Sequence, residues 1–358
     1  MIKRLEVSFG IRGAVLNWIQ SYLFNRQQKV KIGNALSSDI PIKYGVPQGS
    51  VLGPLLFTMY VYPLSDIIVQ NEMPYHSYAD DNQLYPSIPI DCFESVTNDL
   101  SKCSDEIDSW MTSNKLKKNN DKTEMLLCGT TAKLKSINCN SVMIGNEAIN
   151  FSSKVKNLGI FLENNLSMDS AVSHIRKCCY FELRKIAQLR PYIDEHATER
   201  LVLSFVISRL DYCNALFYNM SLGNVQKLQL IQNYAARLVK QAPKRSSASL
   251  LLSQLHWLPV KKRIVYKIAL LTYNCLYDNA SPVYLKDLIS NYVPTRSLRS
   301  ADKNLLVKPK RKLKTFGDRS FSYAAPDVWN NLPHFVKTSE SLGIFKKRLK
   351  THLFKSAF

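Results

Sequence analysis

The stretch that decides the reading is "HSYADDNQLY", residues 76–85. It sets two acids side by side, Asp80 and Asp81, between runs that read as strands near 73–79 and over 82–86. Adjacent carboxylates repel and shift each other's titration, so the pair contributes little as structure. A tight turn tolerates Asp, whose side chain can bond its own backbone. The residues alone therefore leave two readings, a solvated hairpin tip and one half of a metal site.

Upstream, "YGVPQGSVLGP" (44–54) interrupts regular structure with two glycines and a proline. Ser50 suits the N-cap of a helix over 51–69. Glycines at a helix mouth let a base or sugar approach the backbone, and the helix N-terminus favours anions. Gln48 offers a donor and an acceptor to a base edge. Before this loop, "GAVLNWIQSYLF" (13–24) reads as an amphipathic helix, and "RQQKVKIG" and "SSDIPIKYG" as strands joined through "NALS". Downstream, Asp91 with Glu94 has the form of a capping box. Phe93, Val96, Leu100, Cys103, Ile107 and Trp110 then recur at helical spacing. Strands are expected near 123–128, 141–151 and 156–162. The first 165 residues thus read as an α+β lobe, with helices interleaved among antiparallel hairpins.

Beyond residue 165 the pattern is helical. One stripe runs from Val172 to Leu189 and stops at Pro191; another runs from Val225 to Leu238; Pro259 suits the first position of a third helix ending near Tyr277. Such stripes are core and carry no chemistry. "APKRSSAS" (242–249) reads as a linker. "VKPKRKLK" (307–314) is a basic run whose readings are a phosphate contact, a nuclear address and a solvated loop.

Charge follows the same division. Residues 1–150 carry 14 Lys and Arg against 15 Asp and Glu, a net of −1, while residues 151–358 carry 34 against 13, a net of +21. Such asymmetry points to a polyanionic partner, nucleic acid before others. Eight cysteines occur with no Cys-x-x-Cys pair, which fits reduced thiols in an intracellular protein of the nucleus or cytoplasm. The N-terminus does not read as a signal peptide. The most apolar run, 51–62, contains Pro54 and is too short for a membrane span, so no membrane partner is expected.

Taken in order, these motifs resemble a reverse transcriptase of the non-LTR (LINE-type) retrotransposon kind, closest to jockey-like elements. "GVPQGSVLGPLLF" resembles the family's template- and nucleotide-contacting motif, which implies such contacts for Gly45, Pro47, Gln48, Gly49 and Ser50. "YADDNQLY" resembles its metal-binding hairpin, with Asn82 where many members have Thr. That implies Asp80 as a direct metal ligand, Asp81 as its neighbour, and Tyr78 and Ala79 beside the nucleotide. "WMTSNKLKKNNDKTEMLLCG" resembles the next motif and implies Lys122 near the leaving pyrophosphate. "KNLGIFLE" resembles the primer grip, with Leu158 and Gly159 at its turn and Glu163 where Asp is common.

The resemblance implies a polymerase palm over 1–165, a helical thumb-like region over 166–241 and a basic C-terminal helical region over 250–358. It implies an RNA template, a DNA primer, deoxynucleoside triphosphates and Mg²⁺ or Mn²⁺ clamped between carboxylates and phosphates. The family's palm also supplies a metal-binding Asp on a strand roughly a dozen residues before "KRLEVSFGIRG", and fingers before that. This chain opens at Met1, so the reading expects a palm truncated at its start. Glu6 and Asp39 fall at positions that do not match the third acid. The expectation is a polymerase by descent that binds metal weakly and is inactive alone. The alternative is a basic, non-catalytic nucleic-acid-binding remnant of a retrotransposon.

Overall fold

The computed structural model describes residues 1–46, 49–137, 139–145, 147–278, 280–293, 304–311 and 313–358, with backbone alone at 120, 314 and 315. Its architecture is α+β, with small antiparallel sheets among many helices. The chain forms two compact units, Met1–Ser152 and Ser153–Phe358.

The first unit opens with α1 (Ile2–Phe9) and α2 (Gly13–Leu23), which enclose Leu5 and Ile19. Gly10 caps α1 at φ 65°, a left-handed backbone that favours glycine. The expected hairpin follows in two pieces. Strand β1 (Gln27–Gln28) pairs with β4 (Ile40–Pro41), and β2 (Lys31–Ile32) with β3 (Ala35–Leu36). Its turn lies at Gly33-Asn34 rather than across "NALS". The helix expected over 51–69 is two, α3 (Gly53–Val61) and α4 (Leu64–Gln70), because Pro63 cannot continue the first. The N-cap of α3 is Leu52 rather than Ser50, because the helix starts two residues later than expected, although Ser50 Oγ accepts from Gly53 N at 3.0 Å.

The acidic hairpin, β5 (Tyr75–Tyr78) with β6 (Asp81–Leu84), comes next. Then α5 (Phe93–Ser113) buries Cys103 and packs Leu100, Ile107 and Trp110 around Leu64, Ile68 and Met73. The capping box at its start does not form. Asp91 is absorbed into a 3₁₀ turn over Ile90–Cys92, and no side chain caps either element. After α6 (Thr131–Ser136) comes the hairpin of β7 (Ser141–Ile144) and β8 (Glu147–Asn150). The strand expected near 123–128 reduces to a bridge between Met125 and Phe151. A segment needs a partner along its length to become a strand, and here one residue has one.

Arg4 binds the first unit together. Its guanidinium donates to Tyr60 O and, at 3.0 Å, to Asn114 Oδ1, and lies 4.9 Å from the Tyr60 ring. Even so, eight hydrophobic side chains are buried among the described residues of this unit, while Val51 is 95% exposed and Ile32 77%. Each described sheet has only two strands, so every strand leaves an open edge. Residues 1–152 expressed alone are therefore expected to be poorly soluble and to unfold without a sharp transition. A cooperative urea transition for that piece would contradict this.

The second unit begins with the hairpin of β9 (Lys154–Asn157) and β10 (Ile160–Glu163) and continues into α7 (Asp169–Leu189), which ends in a 3₁₀ turn at Pro191. From α8 (Glu195–Val202) the helix widens into a π turn over Leu203–Ile207 before α9 (Ser208–Asp211). The long α10 (Leu222–Lys240) and α11 (Ala248–Gln254) follow, so the linker ends where α11 begins. Pro259 is the N-cap of α12 (Val260–Tyr277) rather than its first residue. The remaining helices are α13 (Val283–Lys286), α14 (Lys314–Gly317), α15 (Phe321–Asn330), α16 (His334–Lys337) and α17 (Leu342–Lys355).

One continuous core joins this unit from Ile160 to Leu353. The basic run over 307–314 is partly neutralised, since Lys308 pairs with Asp327 at 2.5 Å and Arg311 pairs with Asp318. All eight cysteines are free thiols. Among the described residues no helix is long and apolar enough to cross a membrane.

Candidate functional site

The acidic hairpin is built by its turn and held by one face. Tyr78 opposes Asp81, so Ala79 and Asp80 alone make the turn. Ala79 takes φ 55°, the positive value a two-residue hairpin needs at its first central position and glycine usually supplies. On one face Tyr75 and Leu84 pack into the core of α4 and α5. On the same face Ser77 Oγ donates to Asn82 Oδ1 at 2.6 Å, so the amide at position 82 clasps the two strands. On the other face His76 lies 6.2 Å from the Tyr85 ring, and Tyr85 Oη donates to Tyr75 O at 3.0 Å.

Asp80 and Asp81 are both exposed at the tip, beside Tyr78, which is 67% exposed. Neither carboxylate makes an ion pair among the described residues. A fold gains nothing from two adjacent, uncompensated acids on a rigid tip, so stability does not account for them. A hard divalent ion takes oxygen ligands of this kind. The pair does not complete such a site by itself: among the described residues no group of three His, Cys, Asp or Glu is gathered. Asp39 is engaged elsewhere, 2.7 Å from Lys29 Nζ.

The other residues singled out by the sequence are distributed as follows. Gly45 and Gly49 have φ 87° and 80°, and Arg26 donates to Gly45 O. A Cβ at either glycine would meet nothing within 4 Å. Glycine is thus required there by the backbone, not by crowding. Pro47 and Gln48 lie outside the described residues. Lys122 ends a 3₁₀ turn over Asn120–Lys122 and is exposed. No ion pair among the described residues joins it to Asp80 or Asp81.

Leu158 and Gly159 form the turn between β9 and β10 with φ 43° and 84°. Leucine is unusual at positive φ. Tyr212 Oη donates to Leu158 O at 2.5 Å, and a Cβ at Gly159 would meet the Tyr212 ring at 3.7 Å. The turn is thus held by a residue 54 positions away, which no local pattern in the sequence marks.

Glu163 also has a role the sequence does not announce. It accepts from Asp169 N at 3.0 Å, Ser170 N at 2.9 Å and Ser170 Oγ at 2.6 Å, so it caps the first turn of α7 from the adjoining strand. Burial raises its carboxyl pKa, but bonds from Ser167 and Ser170 and the two amides outweigh that, and the net shift is downward. A lowered carboxylate pKa adds stability above the unfolded pKa, about 4.3, and loses it as pH falls through the folded value. Glu163→Gln is expected to cost about 1 kcal/mol at pH 7. The gap in melting temperature between it and the parent should be smaller at pH 3 than at pH 7, since the contribution is lost as pH falls through the lowered folded value. A gap equally large at both pH values would show that the charge contributes nothing.

Residues 4–162 match the reverse transcriptase (RNA-dependent DNA polymerase) family. That segment, acidic hairpin included, is similar to the reverse transcriptases, and the matches support the LINE-type kind. Three relatives come from Drosophila melanogaster. The chain is 26% identical over 241 residues to the probable RNA-directed DNA polymerase from transposon BS, covering 63% of this chain and 25% of that protein. It is 25% identical over 251 residues to the probable RNA-directed DNA polymerase from transposon X-element, covering 66% and 26%. It is 23% identical over 237 residues to the RNA-directed DNA polymerase from mobile element jockey, covering 63% and 25%. The chain spans about a quarter of the length of the curated relatives it matches.

Proposed function

We propose that this chain carries the acidic hairpin of an RNA-directed DNA polymerase active centre, with residues 1–165 as palm, 166–241 as a thumb-like region and 250–358 as a basic C-terminal region. One observation supports it above the others. Asp80 and Asp81 stand exposed and unpaired on a two-residue turn that Tyr75 and Leu84 anchor, within the segment that matches the family. In this reading Asp80 is a direct ligand of Mg²⁺ or Mn²⁺ and Asp81 its neighbour. Lys122 faces the leaving pyrophosphate. Gly45, Pro47, Gln48, Gly49 and Ser50, with Tyr78 and Ala79, contact template and incoming nucleotide. Leu158 and Gly159 grip the primer. The substrates are an RNA template, a DNA primer and deoxynucleoside triphosphates.

Divalent ions in such a centre stabilise charge on the attacking and leaving oxygens of phosphoryl transfer. The pair offers too few ligands to hold them well, so the chain by itself is proposed to bind metal weakly and to be inactive. Primer extension with Mg²⁺, an RNA template and a DNA primer tests this. The chain alone should give no product. A fusion placing the preceding reverse transcriptase segment of the jockey polymerase before Met1 should extend the primer. Extension by the chain alone would overturn the incomplete-site reading, and silence from a folded, template-binding fusion would overturn the polymerase reading.

A second reading, that the chain now acts as a non-catalytic nucleic-acid binder, is favoured by the net charge of +21 over residues 151–358. It calls for binding that weakens steeply with salt and for no extension in any context.

A further inference from the structure

The charge of the second unit is not evenly spent. Several of its cations have acidic partners: Lys240 with Glu195, Arg263 with Asp211, Lys308 with Asp327 and Arg311 with Asp318. Apart from Arg263 of α12, the cations of the helices α12 and α17 depart from this among the described residues. Neither helix contains an Asp or a Glu. They lie antiparallel, since Tyr273 near the end of α12 stacks 4.2 Å from Phe345 near the start of α17, while Lys262 Nζ at the start of α12 donates to Ser356 Oγ just past the end of α17 at 2.8 Å. Phe345, Leu349 and Leu353 turn inward, leaving Lys346, Lys347 and Lys350 exposed on the outer face and Lys355 exposed near its end. Lys261 is exposed beside Lys262. None of these six lysines makes an ion pair among the described residues.

Helix stability does not explain the arrangement. Lys261 and Lys262 sit in the first turn of α12, where the helix dipole disfavours cations. Lys346 and Lys350 are four apart, the spacing at which like charges repel. The field reaches His352, whose pKa is lowered by burial and by Lys262. At the same end His256, Phe354 and Phe358 form a ring cluster, with centroids 5.5 and 4.9 Å apart, and Phe358 is 42% exposed. Uncompensated lysines beside a partly open aromatic cluster match what a nucleic-acid strand presents, phosphates at regular intervals and stackable bases.

We propose that the antiparallel pair of α12 and α17 is a docking surface for the phosphate backbone of nucleic acid. This deepens the nucleic-acid-binding reading by giving it a surface, and it does not depend on polymerase activity.

The test is fluorescence anisotropy of a labelled 20-nucleotide RNA with the full chain across a salt series. The variant replaces Lys261, Lys262, Lys346 and Lys350 with Gln. A control removes the same charge elsewhere in the unit, at the exposed Lys177, Lys185, Lys244 and Arg245. All four changed lysines lie at or near the surface, and matching melting curves confirm folding. Should Gln at Lys262 disturb the fold, a variant at Lys261, Lys346, Lys347 and Lys350 replaces it. The surface variant should bind about tenfold or more weakly, with a log–log salt slope shallower by about three, and the control should stay within about twofold of the parent. Equal losses in variant and control, an unchanged salt slope, or no RNA binding by the parent would each overturn the proposal. Because primer extension plays no part in the readout, its failure is separate from that of the polymerase reading.

Discussion

Replacing Asp80 with Ala in the polymerase-competent fusion is expected to reduce primer extension by about a thousandfold or more. The estimate follows from losing several kcal/mol of metal-held charge stabilisation, at about 1.4 kcal/mol per power of ten. Asp80 is committed to the tip: it occupies the turn itself, exposed, and makes no ion pair among the described residues. Stability of the variant should therefore match the parent, which separates a chemical loss from an unfolding one. Asp81 differs, because it opens strand β6 opposite Tyr78. Asp81→Ala should keep the pairing and lose less activity than Asp80→Ala, since the proposed site makes Asp80 the direct ligand and Asp81 its neighbour. The measurement is single-nucleotide incorporation under matched template–primer saturation, with urea unfolding run on the same preparations. Activity within tenfold of the parent in Asp80→Ala would remove the residue from the active centre.

The second large effect is on stability. Trp329 in α15 is fully buried, lies 6.0 Å from the Phe345 ring and donates from Nε1 to Asn304 O at 2.9 Å. Trp329→Ala removes a large side chain from the middle of the second core and leaves that carbonyl without its donor. The expected cost is about 4 kcal/mol. For a unit of this size that is a drop of roughly 8–16 °C in melting temperature. Trp329→Phe should recover much of the packing but not the hydrogen bond. A melting temperature unchanged in Trp329→Ala would mean that the core does not depend on its largest fully buried side chain. Neither substitution touches the acidic hairpin.

Much of this organisation was legible in the sequence, and the reasons are particular. Long helices with one apolar face, such as α7 and α10, announce themselves because burial repeats every three or four residues. The hairpin at 75–84 was legible because its turn is short and its acids are otherwise unexplained. What was not legible depends on partners distant in the chain. Pro63 splitting a helix is local and should have been read. The loss of a capping box at Asp91 depends on a 3₁₀ turn that Pro89 begins, and the missing strand at 123–128 on the lack of a neighbour to pair with. Tyr212 on the Leu158 carbonyl and Glu163 over the start of α7 are tertiary contacts, with no periodicity to betray them. The same holds for the lysines of α12 and α17. Each helix looks merely basic in sequence, and only their antiparallel packing merges the two charged faces into one surface.

The Asp80–Asp81 hairpin is proposed above as a metal-binding element of a reverse transcriptase. The most direct test is a Mn²⁺ titration, followed by electron paramagnetic resonance, of the fusion bound to template–primer and a non-hydrolysable nucleotide. The parent should bind Mn²⁺ tightly enough to titrate, and a variant carrying Asp80→Asn and Asp81→Asn should bind at least about tenfold more weakly, the effect of removing charged oxygen ligands. Equal Mn²⁺ affinity in parent and variant would contradict the account.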